Sequence, residues 1–104
     1  MGYELYFDDD FFESIEKFPL NVREIIFSKI DFLENNPDHV SLRTEPLYRG
    51  AKGAKREVRS SSISKGIRLI WQVRNNKIRI IDVGKHDIYR RYKAKKLKFP
   101  PGFD

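Results

Sequence analysis

Apolar side chains recur along this chain at two spacings, helical in its first third and alternating in its second half. Tyr3 to Phe7 is short, aromatic and partly alternating, and predicts an opening strand. Asp8-Asp9-Asp10 follows, with Glu13 three residues after Asp10. Carboxylates at a helix start accept hydrogen bonds from unpaired N–H groups and complement the helix dipole. Phe11, Phe12, Ile15 and Phe18 then form an apolar stripe at helical spacing, stopped by Pro19. A second helix is predicted at once, with Asn21 as cap, Glu24 at the reciprocal position, and Leu20 and Ile25 as a hydrophobic staple. Val22, Ile26, Ile30 and Leu33 carry its stripe to Asn35-Asn36-Pro37, where proline forbids extension. The two read as an αα-hairpin with a packing role.

Residues 37–54 read as a loop punctuated by Pro37, Pro46, Gly50 and Gly53. From Lys55 the period is two. A strand is expected over Lys55–Ser60 with Val58 inward, which places Glu57 and Arg59 on the opposite face. Ile67, Leu69, Trp71 and Val73 alternate with Arg68, Ile70, Gln72 and Arg74, and Asn75-Asn76 suits a two-residue hairpin turn. The return strand runs from Lys77 to Val83. Pairing Arg74 with Lys77 sets Trp71 opposite Ile80, Ile70 opposite Ile81 and Arg68 opposite Val83. One sheet face, with Ile67, Leu69, Trp71, Val73, Ile78 and Ile80, is then core for the helices. The other is expected to carry Arg68, Gln72, Arg79 and Arg59, with Arg68 beside the Val83-Gly84-Lys85-His86 exit. The fold class is α+β.

Composition sharpens this. The 104 residues suit one domain over 1–104, and the absence of cysteine excludes disulfides and thiolate zinc sites. Two distant histidines, His39 and His86, give poor support for a metal site. No apolar run reaches a membrane span, and the opening residues lack the order of a signal peptide, so a soluble cytoplasmic protein is expected. The net charge of +6 hides a division. Residues 1–40 hold three basic and ten acidic side chains, a balance of −7; residues 41–104 hold eighteen and five, a balance of +13. Such polarity suggests a polyanion-binding face made by the second part.

Gly66-Ile67-Arg68-Leu69-Ile70-Trp71 and Ile81-Asp82-Val83-Gly84-Lys85-His86-Asp87-Ile88-Tyr89-Arg90 resemble the central-strand and strand-to-helix motifs of the RelE/ParE toxin superfamily. These are the toxin halves of type II toxin–antitoxin pairs. The order of strand, two helices and antiparallel meander matches as well, so the likeness covers nearly the whole chain. It implies a small RelE-like fold ending in a short helix. For the ribonuclease branch it implies ribosome-dependent, metal-independent mRNA cleavage in the A site, with no cofactor, and a cognate antitoxin as partner.

That reaction needs the RNA 2′-OH to lose a proton, the phosphoryl oxygens to be neutralised and the leaving 5′-oxygen to gain a proton. By resemblance, Arg68 matches the arginine on the scissile phosphate, which its planar fork suits. An ion pair with Asp82 or Asp87 is its structural alternative. Arg59 matches a second basic strand residue. His86 lies where the branch places its acid, and histidine titrates near neutrality; the bland reading makes it structural, with Asp87 capping the last helix. Tyr89 matches a near-terminal tyrosine that stacks on a base or bonds the phosphate, with packing on the sheet edge as its alternative.

Lys52 and Lys55 fall where the RelE branch uses lysines, while Glu45-Pro46-Leu47 resembles the YoeB branch, whose glutamate is a proposed base. The general base is therefore open, with Glu45 a candidate. Lys85, Arg79 and Arg90 complete the expected RNA contacts. Arg91, Lys93, Lys95, Lys96 and Lys98 add a basic tail around Tyr92, either a solvated face or an rRNA contact. Trp71 alternates into the core. The competing reading is a ParE-type DNA gyrase inhibitor without nuclease activity; a third is a relic that only binds its antitoxin.

Overall fold

The computed structural model describes residues 2–94 and 96–104; Lys95, one of the expected tail cations, lies outside them. Strand β1 (Glu4–Phe7) leads into helix α1 (Asp9–Ile15) and helix α2 (Leu20–Asn35). A 3₁₀ turn (Val40–Leu42), a short strand β2 (Glu45–Pro46) and a second 3₁₀ turn (Gly53–Glu57) follow. Strands β3 (Val58–Ser64), β4 (Ile67–Arg74) and β5 (Lys77–Lys85) form a meander, and helix α3 (Ile88–Ala94) closes the regular structure. The sheet order is β1-β5-β4-β3-β2, with β1 parallel to β5 and the other pairs antiparallel. The α+β expectation holds. Among the described residues no helix is long and apolar enough to cross a membrane.

The helices form where their stripes predict, with different ends. Pro19, not Asn21, occupies the N-cap of α2, and no side chain caps that terminus. Proline, with no N–H and a fixed φ, suits the opening of a helix, so the Asn21–Glu24 box is not used. Carbonyls of the turn between α1 and α2 are met by Arg23, whose Nε donates to Phe18 O at 2.7 Å and Nη2 to Glu16 O at 2.8 Å. Phe11, Ile15, Ile26, Ile30 and Leu33 pack on Leu69, Trp71, Ile78 and Ile80 as the first core, on the sheet face expected.

The other face is not an open basic surface. Leu47, Val58, Ile70, Ile81, Ile88 and Tyr92 form a second core there, beneath α3 and the tail. The tail crosses this face. Gln72 Nε2 donates to Phe103 O at 2.6 Å, and the Phe103 ring meets Tyr6 edge-on at 5.4 Å. β5 is therefore buried almost throughout, which explains the adjacent Ile80 and Ile81.

Two register expectations fail. The Asn75-Asn76 turn does pair Arg74 with Lys77 and Trp71 with Ile80, with Asn75 at φ 55°. An irregularity then intervenes, and Ile70 pairs with Asp82 and Arg68 with Gly84. One extra residue on β5 does this, and it turns both Ile81 and Asp82 toward α3. In β3, residues 55–57 belong to the 3₁₀ turn, and Val58 pairs with Gln72 while Arg59 pairs with Trp71. Val58 thus serves the second core, and Arg59 lies on the α2 side of the sheet, away from Arg68.

Candidate active site

Asp82 fixes α3 against the sheet. Its carboxylate is fully buried, where it accepts from Tyr92 Oη at 2.6 Å, from Arg91 Nη2 at 2.5 Å and from the Val83 N–H at 2.8 Å. Burial, then the neighbouring carboxylates of Asp82 and Asp10, push the Tyr92 hydroxyl far above the ordinary phenol range. A phenol that must stay protonated when folded destabilises the fold once the unfolded chain can ionise it. Stability is therefore unaffected by this group below about pH 10 and falls above it, at up to ~1.4 kcal/mol per pH unit. Urea unfolding between about pH 9 and 11 should show that slope, and Tyr92→Phe should flatten it.

Gly84 permits the close docking of α3. A Cβ on Gly84 would stand 3.0 Å from Ile88 Cδ1 and 3.3 Å from Ile88 Cβ. Residues 86 and 87 turn the chain from β5 into α3, which carries Tyr89 back over Ser60.

A polar cluster forms where β2, β3, β4 and α3 meet. Arg68 Nη2 donates to Glu45 Oε1 at 3.0 Å, and its Nε points at Ser60 Oγ at 3.4 Å. Tyr89 Oη accepts from Ser60 Oγ at 2.9 Å and donates to the same Glu45 oxygen at 3.1 Å. The guanidinium carbon of Arg68 lies 5.1 Å from the Tyr89 ring centre, and the His86 ring meets Tyr89 edge-on at 5.3 Å. Arg49 reaches the other Glu45 oxygen at 3.5 Å. The Arg68 side chain is 15 % exposed and Glu45 45 %, so the arginine is held in a wall and the carboxylate faces outward. Arg68 Nη1 has no hydrogen-bond partner among the described residues. A hollow of about 210 Å³ opens here, lined by Glu45, Pro46, Leu47, Arg49, His86, Tyr89 and Lys93.

This geometry joins Arg68, His86, Tyr89 and Glu45, and adds Ser60, Arg49 and Lys93. The carboxylate on Arg68 is Glu45, in place of either aspartate expected from its neighbourhood. Ser60 and Arg49 carry no sequence signal beyond proximity to β2, because the β2–β3 pairing that brings them in is two residues long.

Arg59 stands apart, over the Trp71 ring at 5.5 Å and paired with Asp38 at 3.6 Å. Arg79 has a side chain only 6 % exposed, bonded to both Asp8 oxygens and to Gln72, which leaves little of its guanidinium open to an RNA phosphate. Lys52, Lys55, Lys85 and Arg90 are exposed. Lys55 lies over the Tyr48 ring at 4.8 Å, beside the hollow.

No protein-family model matches this chain, and no curated protein matches it in sequence. Solved structures do match its fold. The archaeal RelE–RelB complex from Pyrococcus horikoshii superposes with a TM-score of 0.66 at 16% identity, over 82% of this chain and 96% of that one. The fold is that of the RelE/ParE toxins. The Escherichia coli DinJ–YafQ toxin–antitoxin complex gives 0.65 at 13% identity, over 85% of this chain and 97% of that one. A YoeB/ParE toxin from Agrobacterium tumefaciens gives 0.63 at 18% identity, over 80% and 98%. In this chain the polar cluster lies on the α3 side of the sheet, and the acidic helical hairpin lies behind it.

Proposed function

We propose that this protein is the toxin of a type II toxin–antitoxin pair and that it cleaves mRNA on the ribosome. The observation that carries this reading is the meeting of Glu45, Tyr89 and His86 at one hollow, with Arg68 bonded to Glu45 beside it. They supply a phosphate-binding fork, a carboxylate, a phenol and an imidazole within one another's reach. The RelE-like fold of solved toxin–antitoxin complexes supports the toxin role and a cognate antitoxin as partner.

In the proposed reaction a phosphate oxygen takes the free Nη1 side of Arg68. Glu45 accepts the proton of the 2′-OH as that oxygen attacks phosphorus. His86, exposed at the rim, donates a proton to the departing 5′-oxygen as the P–O bond breaks. The products are a 2′,3′-cyclic phosphate and a 5′-hydroxyl. Tyr89 holds Glu45 and gives a ring face to Arg68 or to a base. Lys52, Lys55, Lys85, Lys93 and Arg90 meet backbone phosphates around the hollow.

The test is induction of the protein followed by mapping of new mRNA 5′ ends against the reading frame. Frame-phased 5′-hydroxyl ends are expected. Intact mRNA with gyrase-linked DNA breaks would instead establish the gyrase-inhibitor reading.

A further inference from the structure

A second cationic groove lies on the other side of β2, and the mechanism above does not use it. It is about 590 Å³ in volume, and its guanidinium groups come from Arg43, Arg56 and Arg59. Among the described residues no carboxylate pairs with Arg43 or Arg56, and the one carboxylate paired with Arg59 is the highly exposed Asp38. Arg43 is held at φ 47° and ψ 49°, the left-handed conformation that ordinarily selects glycine or asparagine. A long cationic side chain kept at a strained turn end points to use of that side chain. Glu45 and Pro46 form a wall of this groove and also of the hollow beside Arg68. The two concavities are therefore neighbours across a ridge two residues wide.

We propose that this groove binds the phosphodiester backbone of a single-stranded RNA whose next segment crosses β2 into the Arg68 hollow. The inference rests on the nuclease reading and assigns the strand a second site. Guanidinium forks suit phosphate oxygens. A flexible single strand can bend over the β2 ridge, which a stiff duplex cannot follow. Val40, 86 % exposed at the groove edge, offers an apolar face for a base. An acidic protein segment is the other polyanion such a groove could hold. RNA is favoured because the groove shares the Glu45–Pro46 wall with the Arg68 hollow.

The test uses fluorescence anisotropy with a labelled 2′-O-methyl single strand of about eight nucleotides, which lacks the attacking hydroxyl. The double variant Arg43→Gly, Arg56→Ala is expected to bind about 10-fold or more weakly, and its log–log salt slope should fall by about 1.4. Arg43→Gly alone should weaken binding while its thermal midpoint stays level or rises, because glycine relieves the left-handed turn. Arg43→Lys should keep most of the affinity. Wild-type protein with no affinity at low salt overturns the groove assignment. So does a double variant with unchanged affinity and slope, or one that loses only an all-glutamate peptide. Cleavage is scored separately. A wild type that binds through the groove but cuts no ribosomal mRNA sinks the nuclease reading and leaves the groove standing. Normal cleavage with unchanged binding by the variants does the reverse.

Discussion

Arg68→Ala is expected to lower cleavage of ribosome-bound mRNA by about 10²–10³-fold, the usual effect of removing one aligned donor to a developing oxyanion. Arg68 is the largely buried cation bonded to Glu45 behind the hollow, and its Nη2 and Nε are already fixed by Glu45 and Ser60. Such a group needs no reordering when charge builds on the phosphoryl oxygens. The same substitution should change unfolding free energy by only about 1 kcal/mol, because Glu45 keeps Arg49 and stays substantially hydrated. Arg68→Lys should recover only roughly a tenth of the lost rate, since an ammonium cannot hold Glu45 and a phosphate in one plane. Single-turnover cleavage on programmed ribosomes, with urea unfolding alongside, separates these effects. A rate within about threefold of wild type for Arg68→Ala would remove the arginine from the reaction.

The parts of this site that could be read from the chain are those set by short-range chemistry. Asn75-Asn76 favours a tight turn with positive φ, so the near half of the β4–β5 register followed from it. The far half did not, because one extra residue near Ile81 leaves no mark in a run of buried apolar positions. Arg68 consequently lies opposite Gly84, one place from where strict alternation sets it.

The second core explains the other misplacements. Alternation reveals which face is buried only when the opposite face is wet. Here Leu69, Ile70 and Trp71 are consecutive and all buried, and Val58 serves the face beneath α3. Reading Val58 as a member of the helix-facing core moved Arg59 across the sheet. The adjacent apolar pairs in β4 and β5 were the available signal that both faces are covered. The charge division between the two parts of the chain also overstated the basic surface. Arg74 pairs with Glu57, Arg91 with Asp82 and Arg79 with Asp8, and Arg49, Arg59 and Arg68 also meet carboxylates, so six of the cations in the second part are internally matched.

Asp8→Ala should cost about 3 kcal/mol of stability, a large effect for a change at the end of a short strand. The Arg79 guanidinium meets Asp8 through Nη2 at 2.6 Å and through Nε at 2.9 and 3.1 Å, and Gln72 Oε1 accepts from its Nη1 at 3.2 Å. Removing Asp8 leaves that buried cation, among the described residues, with the neutral amide as its remaining hydrogen-bond partner. The cost lies below the ~5 kcal/mol upper end for broken buried pairs because Asp8 is itself partly hydrated. If the loss comes from a stranded charge rather than from lost packing, removing both charges must restore stability. The pair Asp8→Leu, Arg79→Met should therefore unfold within about 1 kcal/mol of wild type. It should also leave mRNA cleavage and oligonucleotide binding near wild type, because Arg79 turns inward beneath the tail, where its guanidinium lies 6.0 Å from the Phe99 ring. Urea unfolding of the single and paired variants decides the first point. A paired variant as unstable as Asp8→Ala would show that the ion pair fixes the packing of β1 on β5. A paired variant that folds normally yet loses RNA affinity would return Arg79 to the binding surface.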